Sequence, residues 1–213
     1  MTALLDMNND WCFNIDRGML NGVVFLDLKK AFDTVDHLIL VTKLEYLGLE
    51  KIAVDWFRSY LTDRYQRCFV NGCLSDEIKI TCGVPQGSVL GPLLFLIYIN
   101  DLASCFDHGT ARMYADDTNL SFSACFPIEL QRQMERDLRK LELWLKANKF
   151  TLNALKTEYM IIGTRQKIAS LIDDVALSIG GISLCKHFQV QSQWSNIGSI
   201  NDLKILLAEY VVR

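Results

Sequence analysis

Little in this sequence breaks a chain or staples one. Three prolines are spread over 213 residues, at 85, 92 and 127. No segment is low in complexity, and none repeats at a solenoid period. Collagen-like, disordered and repeat architectures are therefore excluded. Basic charge is not in excess: 22 Lys and Arg stand against 25 Asp and Glu, a net charge of −3. That balance argues against this chain alone offering the cationic face of a nucleic-acid-binding protein. Long apolar runs are missing too. Val89 to Ile99 is too short to span a bilayer and contains Gly91 and Pro92. Met1 to Asp10 lacks the basic start and apolar stretch of a signal peptide. The seven cysteines are odd in number, with no Cys-x-x-Cys and no Cys/His pair at zinc-ligand spacing. They read as buried, reduced thiols of a soluble intracellular protein, nuclear or cytoplasmic.

What is present is ordinary globular patterning, half hydrophobic residues, enough for one sizeable core. Val23 to Leu28 is an apolar run interrupted only by Asp27, the pattern of a buried strand. Leu38, Leu44 and Leu47 give a helix stopped by Gly48, and Ile52, Trp56, Phe57 and Tyr60 a second. Arg64 to Val70 and Glu77 to Thr81 predict two strands joined through Asn71-Gly72. Residues 83–87 form a loop by composition, and Leu93 to Leu102, after Pro92, a buried helix. Ala111 to Tyr114 and Asn119 to Phe122 predict a hairpin with acids at its tip. Ile128 to Lys149 is the clearest helix, with Leu130, Met134, Leu138, Leu141 and Leu145 on one face. Glu158 to Ile162 reads as a strand, Ala176 to Ile179 and Ile182 to Cys185 as a second hairpin about Gly180-Gly181, and Ile200 to Val211 as amphipathic. The fold class is α+β, an antiparallel sheet backed by helices.

Chemistry enters with acids in apolar strands. A buried, ionised carboxylate is costly unless paired or metal-bound. Asp27 sits in Val-Val-Phe-Leu-Asp-Leu, and Asp116-Asp117 in a tight turn between apolar strands. Adjacent like charges invite a divalent cation, and hard ions such as Mg²⁺ prefer carboxylate oxygens. Taken singly, an Asp-Asp pair is an ordinary solvated turn, and Asp27 a strand-end acid or helix cap.

The ordered blocks are more specific. Phe-Leu-Asp-Leu-Lys-Lys-Ala-Phe-Asp-Thr-Val-Asp-His (25–37) precedes Gly-Val-Pro-Gln-Gly-Ser-Val-Leu-Gly-Pro (83–92), then Tyr-Ala-Asp-Asp (114–117) and Leu-Asn-Ala-Leu-Lys-Thr-Glu (152–158). Over residues 11–188 the chain resembles reverse transcriptases of non-LTR (LINE-type) retrotransposons, nearest the jockey-like group. The resemblance implies a polymerase palm with partial fingers at 38–81, a thumb absent or degenerate, and a diverged tail at 189–213. It implies an RNA-directed DNA polymerase acting on RNA template, DNA primer and dNTP. Asp27, Asp116 and Asp117 match the metal-binding aspartates, holding two Mg²⁺ ions or Mn²⁺. Lys156 matches a lysine that assists pyrophosphate departure. Phe32 matches the gate against a ribose 2′-hydroxyl, although by itself it reads as a core phenylalanine. Leu28, Pro85, Gln86 and Gly87 fall at nucleotide-contacting positions. Gly87 would allow close backbone approach, Pro85 would stiffen the loop, and Gln86 offers an amide. Tyr114 falls at a nucleic-acid-contacting position. Arg64 and Arg67 are template candidates by charge alone, and a solvated face is the competing reading. Asp33 and Asp36 follow the pattern without a metal role, and His37 reads as a turn or cap residue.

The upstream fingers, the thumb and an endonuclease of the family have no match here. The missing cationic surface accounts for the acidic balance and predicts weak or no stand-alone synthesis, by a chain truncated at both ends. Two alternatives remain: a non-catalytic remnant that binds nucleic acid or a protein, and an RNA-dependent RNA polymerase, against which Phe32 and the Pro-Gln-Gly loop argue.

Overall fold

The structure is a computed structural model and describes residues 2–115, 117–169 and 175–190. In chain order its first elements are α1 (Thr2–Asp16), β1 (Leu20–Leu26), α2 (His37–Tyr46), α3 (Lys51–Leu61), β2 (Arg64–Gln66), β3 (Phe69–Val70), β4 (Cys73–Leu74), β5 (Ile78–Ile80) and α4 (Leu90–Ile99). Then follow β6 (Thr110–Tyr114), β7 (Asp117–Ala124), α5 (Pro127–Ala147), β8 (Glu158–Gly163), α6 (Arg165–Ala169), β9 (Ser178–Ile179), β10 (Ile182–Ser183) and β11 (Cys185–Val190). Two compact units divide them: residues 1–27, 103–143 and 152–213, and residues 28–102 with 144–151.

The first unit is built on a five-stranded sheet in the order β11-β8-β1-β7-β6. β1 is central because every residue of it is apolar or buried, the pattern of a strand covered on both faces. On one face, Met7, Trp11 and Ile15 recur every four residues along α1 and pack with Val23, Phe25, Met160 and Ile162. Buried Asn21 fixes that helix: its amide donates to the Trp11 carbonyl at 3.2 Å, and its oxygen accepts from Asn14 at 2.7 Å. On the other face lies α5, so close at Gly22 that an added Cβ would sit 2.5 Å from Met134 Sδ. The expected stripe on α5 is buried throughout. Fully buried Asp137, on the same helix, accepts from the backbone N–H groups of Asp107, His108 and Gly109 and so fixes the entry to β6.

The second unit packs α2, α3 and α4 with residues 144–151. Phe150 is its hub, its ring centroid 5.1 Å from Tyr98, 5.9 Å from Trp144 and 6.4 Å from Phe95. Asp36 caps α2 by accepting from Leu38 and Ile39 N–H. It also pairs with Lys149 at 2.6 Å. Burial by itself would raise the Asp36 pKa, but the Lys149 ammonium and the two backbone donors together hold it below the usual carboxylate value.

Several expectations change. The helix α1 was not anticipated, because Asn8-Asn9-Asp10 and Asn14 favour caps and turns over helix interiors. The 64–81 ribbon is two nested pieces: β2 pairs with β5, while Asn71 and Gly72, both at positive φ, turn the inner β3–β4 pair. Between them Cys68 and Ser75 exchange hydrogen bonds, and Ser75 supplies its hydroxyl for one. Helix α4 starts before Pro92, not after it, since a first turn needs no N–H there. The sheet is not wholly antiparallel: β11 runs parallel to β8, and Cys185 opens that strand instead of closing the β9–β10 hairpin. The seven thiols form no disulfide, but none is buried; five are exposed, three of them at 68, 73 and 82 in the solvent-facing ribbon and the residue just after it. No helix among the described residues is long and apolar enough to cross a membrane. The 200–211 stretch lies outside the described residues.

Candidate active site

In the first unit the acids gather at one end of the sheet. Leu26 of β1 stands opposite Thr118 of β7. One step further the two chains reach Asp27 and Asp117, and both are half-buried. β6 and β7 pair up to Tyr114 opposite Asp117. Ala115 takes φ 54° there, a left-handed conformation that costs a residue with a side chain about 1–2 kcal/mol. Asp116 lies outside the described residues. Tyr114 is 77% exposed at the hairpin tip.

Asp27 is held by a turn distant in sequence. Its Oδ2 accepts from the Asn153 side-chain amide at 2.8 Å, and its carbonyl accepts from Asn153 N–H at 2.8 Å. Its own N–H donates to Thr157 Oγ1 at 3.3 Å. Asn153 in turn accepts from Lys156 N–H and Thr157 N–H, closing a compact turn. Lys156 is exposed on that turn, three residues from the group that grips Asp27. The arrangement is a pair of hard oxygen donors, one of them oriented by an amide, with a cation on the supporting turn. That donor set fits a hard divalent ion.

In the second unit the 83–87 loop borders a cavity of about 640 Å³, lined by Asp33, His37, Arg64, Tyr65, Cys82, Pro85 and Gln86 among others. Gln86 is exposed but aimed, its amide donating to Asp33 Oδ1 at 2.7 Å. His37, the first residue of α2 and not its cap, has Nε2 2.7 Å from the Gly83 carbonyl and so tethers the loop. Within the 83–87 loop, Gly83 is where another stretch of this chain's own backbone comes close. A Cβ at Gly83 would sit 2.8 Å from the Asp33 carbonyl oxygen, whereas nothing lies within 4 Å of one at Gly87. Gly87 is instead required by its φ of 78°. Arg64 stacks over Tyr60 and donates to its carbonyl. Arg67 is not among the lining residues, and Glu77 pairs with it at 2.7 Å. The half-buried ring of Phe32 stacks on fully buried Phe95 at 4.2 Å, and its carbonyl accepts from Val84 N–H. Leu28 is buried.

Two positioning residues were not anticipated. Asn153 lies inside the 152–158 block, so the signal was present, but an asparagine in a turn has no assigned chemistry until its partner is known. Asp33 follows the block pattern without a metal role, and its contact with Gln86 gives it a different task.

The profile of the reverse transcriptase (RNA-dependent DNA polymerase) family matches residues 8–198. A probable RNA-directed DNA polymerase from transposon BS of Drosophila melanogaster is 34% identical over 149 residues, 64% of this chain and 16% of that protein. The RNA-directed DNA polymerase from mobile element jockey of Drosophila funebris is 30% identical over 142 residues, 63% of this chain and 15% of that one. The chain thus spans about a sixth of the length of these relatives. Among solved structures, telomerase from Candida tropicalis in complex with a fragment of telomeric RNA superposes with a TM-score of 0.56 at 13% identity, over 76% of this chain and 29% of that one. At that identity the likeness concerns the fold.

Proposed function

The chain belongs to the reverse transcriptase (RNA-dependent DNA polymerase) family, and from that membership we propose that its five-stranded sheet is the palm of an RNA-directed DNA polymerase, extending a DNA primer with dNTP on an RNA template. The observation that carries the reading is the register that brings Asp27 and Asp117 to the same end of adjacent strands, with Asn153 orienting the first. Bound there by Asp27, Asp116 and Asp117, two Mg²⁺ ions, or Mn²⁺ in their place, would activate the primer 3′-hydroxyl and neutralise the triphosphate and leaving pyrophosphate.

The remaining roles belong to the chain's own groups. Asn153 keeps one Asp27 oxygen fixed and leaves the other available. Lys156 offers a positive charge to the departing pyrophosphate. Phe32, anchored on Phe95, is held as a rigid wall against a 2′-hydroxyl. Gln86, aimed by Asp33, presents its carbonyl oxygen to a nucleotide, with Pro85, Gly87 and the Leu28 backbone beside it in function. Arg64 supplies charge for template phosphates from the cavity wall, and Tyr114 a ring for a base. Arg67, already paired with Glu77, contributes less. The 38–81 segment serves as partial fingers.

Primer extension on an RNA template with Mg²⁺ tests this. The wild-type chain alone should add no more than a few nucleotides, since much of the cationic grip on the duplex has no match here, and Asp27→Asn and Asp117→Asn should abolish even that. Phe32→Ala should incorporate GTP nearly as readily as dGTP. Extension undiminished in Asp27→Asn would overturn the site. A folded wild-type chain that binds template and primer but never extends them would replace the polymerase reading with that of a non-catalytic remnant.

A further inference from the structure

Outside the proposed catalytic end, one cluster joins three different ligand chemistries at the edge of the first unit's sheet. β11 lies parallel to β8 with Cys185 opposite Glu158 and His187 opposite Met160. Side chains two apart on a strand share a face, so Cys185, His187 and Glu158 project to the same side. Their ligand atoms all lie within 4.8 Å of one another. His187 Nε2 is 3.5 Å from Glu158 Oε2, and the His187 side chain is only 6% exposed. That nitrogen has no hydrogen-bond partner among the described residues, although it sits within ion-pair reach of the carboxylate. A buried, unsatisfied ring nitrogen facing a carboxylate and a thiol is an expensive arrangement in the apo protein.

We propose that Glu158, Cys185 and His187 form a Zn²⁺ site that clamps the parallel edge strand β11 to β8. Sulfur, imidazole nitrogen and carboxylate oxygen are the three donor types zinc accepts, and the first two are poor ligands for Mg²⁺. Bonds of about 2.0–2.3 Å at tetrahedral angles bring ligand atoms to roughly 3.3–3.6 Å of one another. Closing the cluster onto an ion therefore takes side-chain movements of about an ångström. Cys185, exposed, has room for this. On binding, its thiol gives up its proton to solvent and the thiolate takes the metal. Three protein ligands leave the fourth tetrahedral position to water or another donor. No linear zinc motif pointed here, because Cys185 and His187 are two residues apart and Glu158 is supplied by the neighbouring strand.

The test is a Co²⁺ titration of the full chain, kept reduced with a phosphine and supplied with excess Mg²⁺. One Co²⁺ should bind with a thiolate-to-cobalt charge-transfer band and the visible bands of a four-coordinate ion, and Zn²⁺ should abolish both. Cys185→Ser should lose the charge-transfer band, and His187→Gln and Glu158→Gln should each weaken binding. Because Cys185 is exposed, its variant should keep the wild-type circular dichroism. Hydrogen exchange should show residues 185–190 protected by Zn²⁺ in wild type and not in Cys185→Ser. Folded wild type that binds no Co²⁺ overturns the proposal, and so does an unchanged charge-transfer band in Cys185→Ser, which would assign the thiolate to another cysteine.

Discussion

Asn153 is where residue chemistry is most exposed to test. Its amide fixes one Asp27 oxygen and its backbone N–H fixes the Asp27 carbonyl. Asn153→Ala removes only the first of these. Partners that orient a metal ligand are typically worth about 10–100-fold in metal affinity or activity. Asn153→Ala should therefore raise the Mg²⁺ concentration needed for half-maximal primer extension by that order, with a stability loss of only about 1 kcal/mol. A Mg²⁺ dependence identical to wild type would reduce Asn153 to a turn residue. Gly83→Ala is the steric counterpart. Both its φ of 87° and the 2.8 Å approach to the Asp33 carbonyl forbid a Cβ. It should lose about 1–3 kcal/mol by urea denaturation, whereas Gly87→Ala, strained but unobstructed, should lose less. From the sequence the acids were legible because an ordered set of blocks surrounds them. Asn153 and Asp33 were not, since each acts through a partner that only folding supplies.

At the scale of elements, sequence reading did best where one periodicity dominated and failed where local preference opposed tertiary packing. The α5 stripe is buried at every expected position because nothing in Ile128 to Ala147 competes with a helix. Helix α1 carries its signal in Met7, Trp11 and Ile15 alone, and its asparagines mask it. α2 depends on its cap. Asp36→Ala should destabilise the protein by about 1–2 kcal/mol at neutral pH. Folding lowers the Asp36 pKa below its usual value of 3.8. The stabilisation it provides is thus complete above that value and disappears as pH falls through the lower, folded-state value. Urea midpoints of wild type and variant should therefore converge on acidification below about pH 4. A gap that stays constant into acid would mean that the carboxylate's charge, and Lys149 with it, contributes nothing to the cap.

Across the whole molecule, the α+β class was readable but the sheet's last strand was not. Hairpin signals predict antiparallel neighbours, and nothing local to Cys185–Val190 announces that a long connection from β8 returns it in parallel. Both units share one buried device that patterning also hides, a tyrosine counted as apolar yet tied by its hydroxyl. Tyr98 donates to the Asn148 carbonyl at 2.7 Å in one unit, and Tyr159 to the Val175 carbonyl at 3.0 Å in the other. Burial pushes both phenols up to about 12. The unfolded chain ionises them near 10, so the fold favours the protonated form. Their contribution is fully present below about pH 10 and is lost as pH climbs through the folded value. Wild-type stability should accordingly hold steady up to that point and then drop. Tyr98→Phe and Tyr159→Phe should each be less stable at pH 8, by about 1–3 kcal/mol for the abandoned buried carbonyl, yet decline less steeply in alkali. Ultraviolet titration of phenolate decides the matter: if all seven tyrosines ionise near 10 while the chain remains folded, neither hydroxyl is held as described.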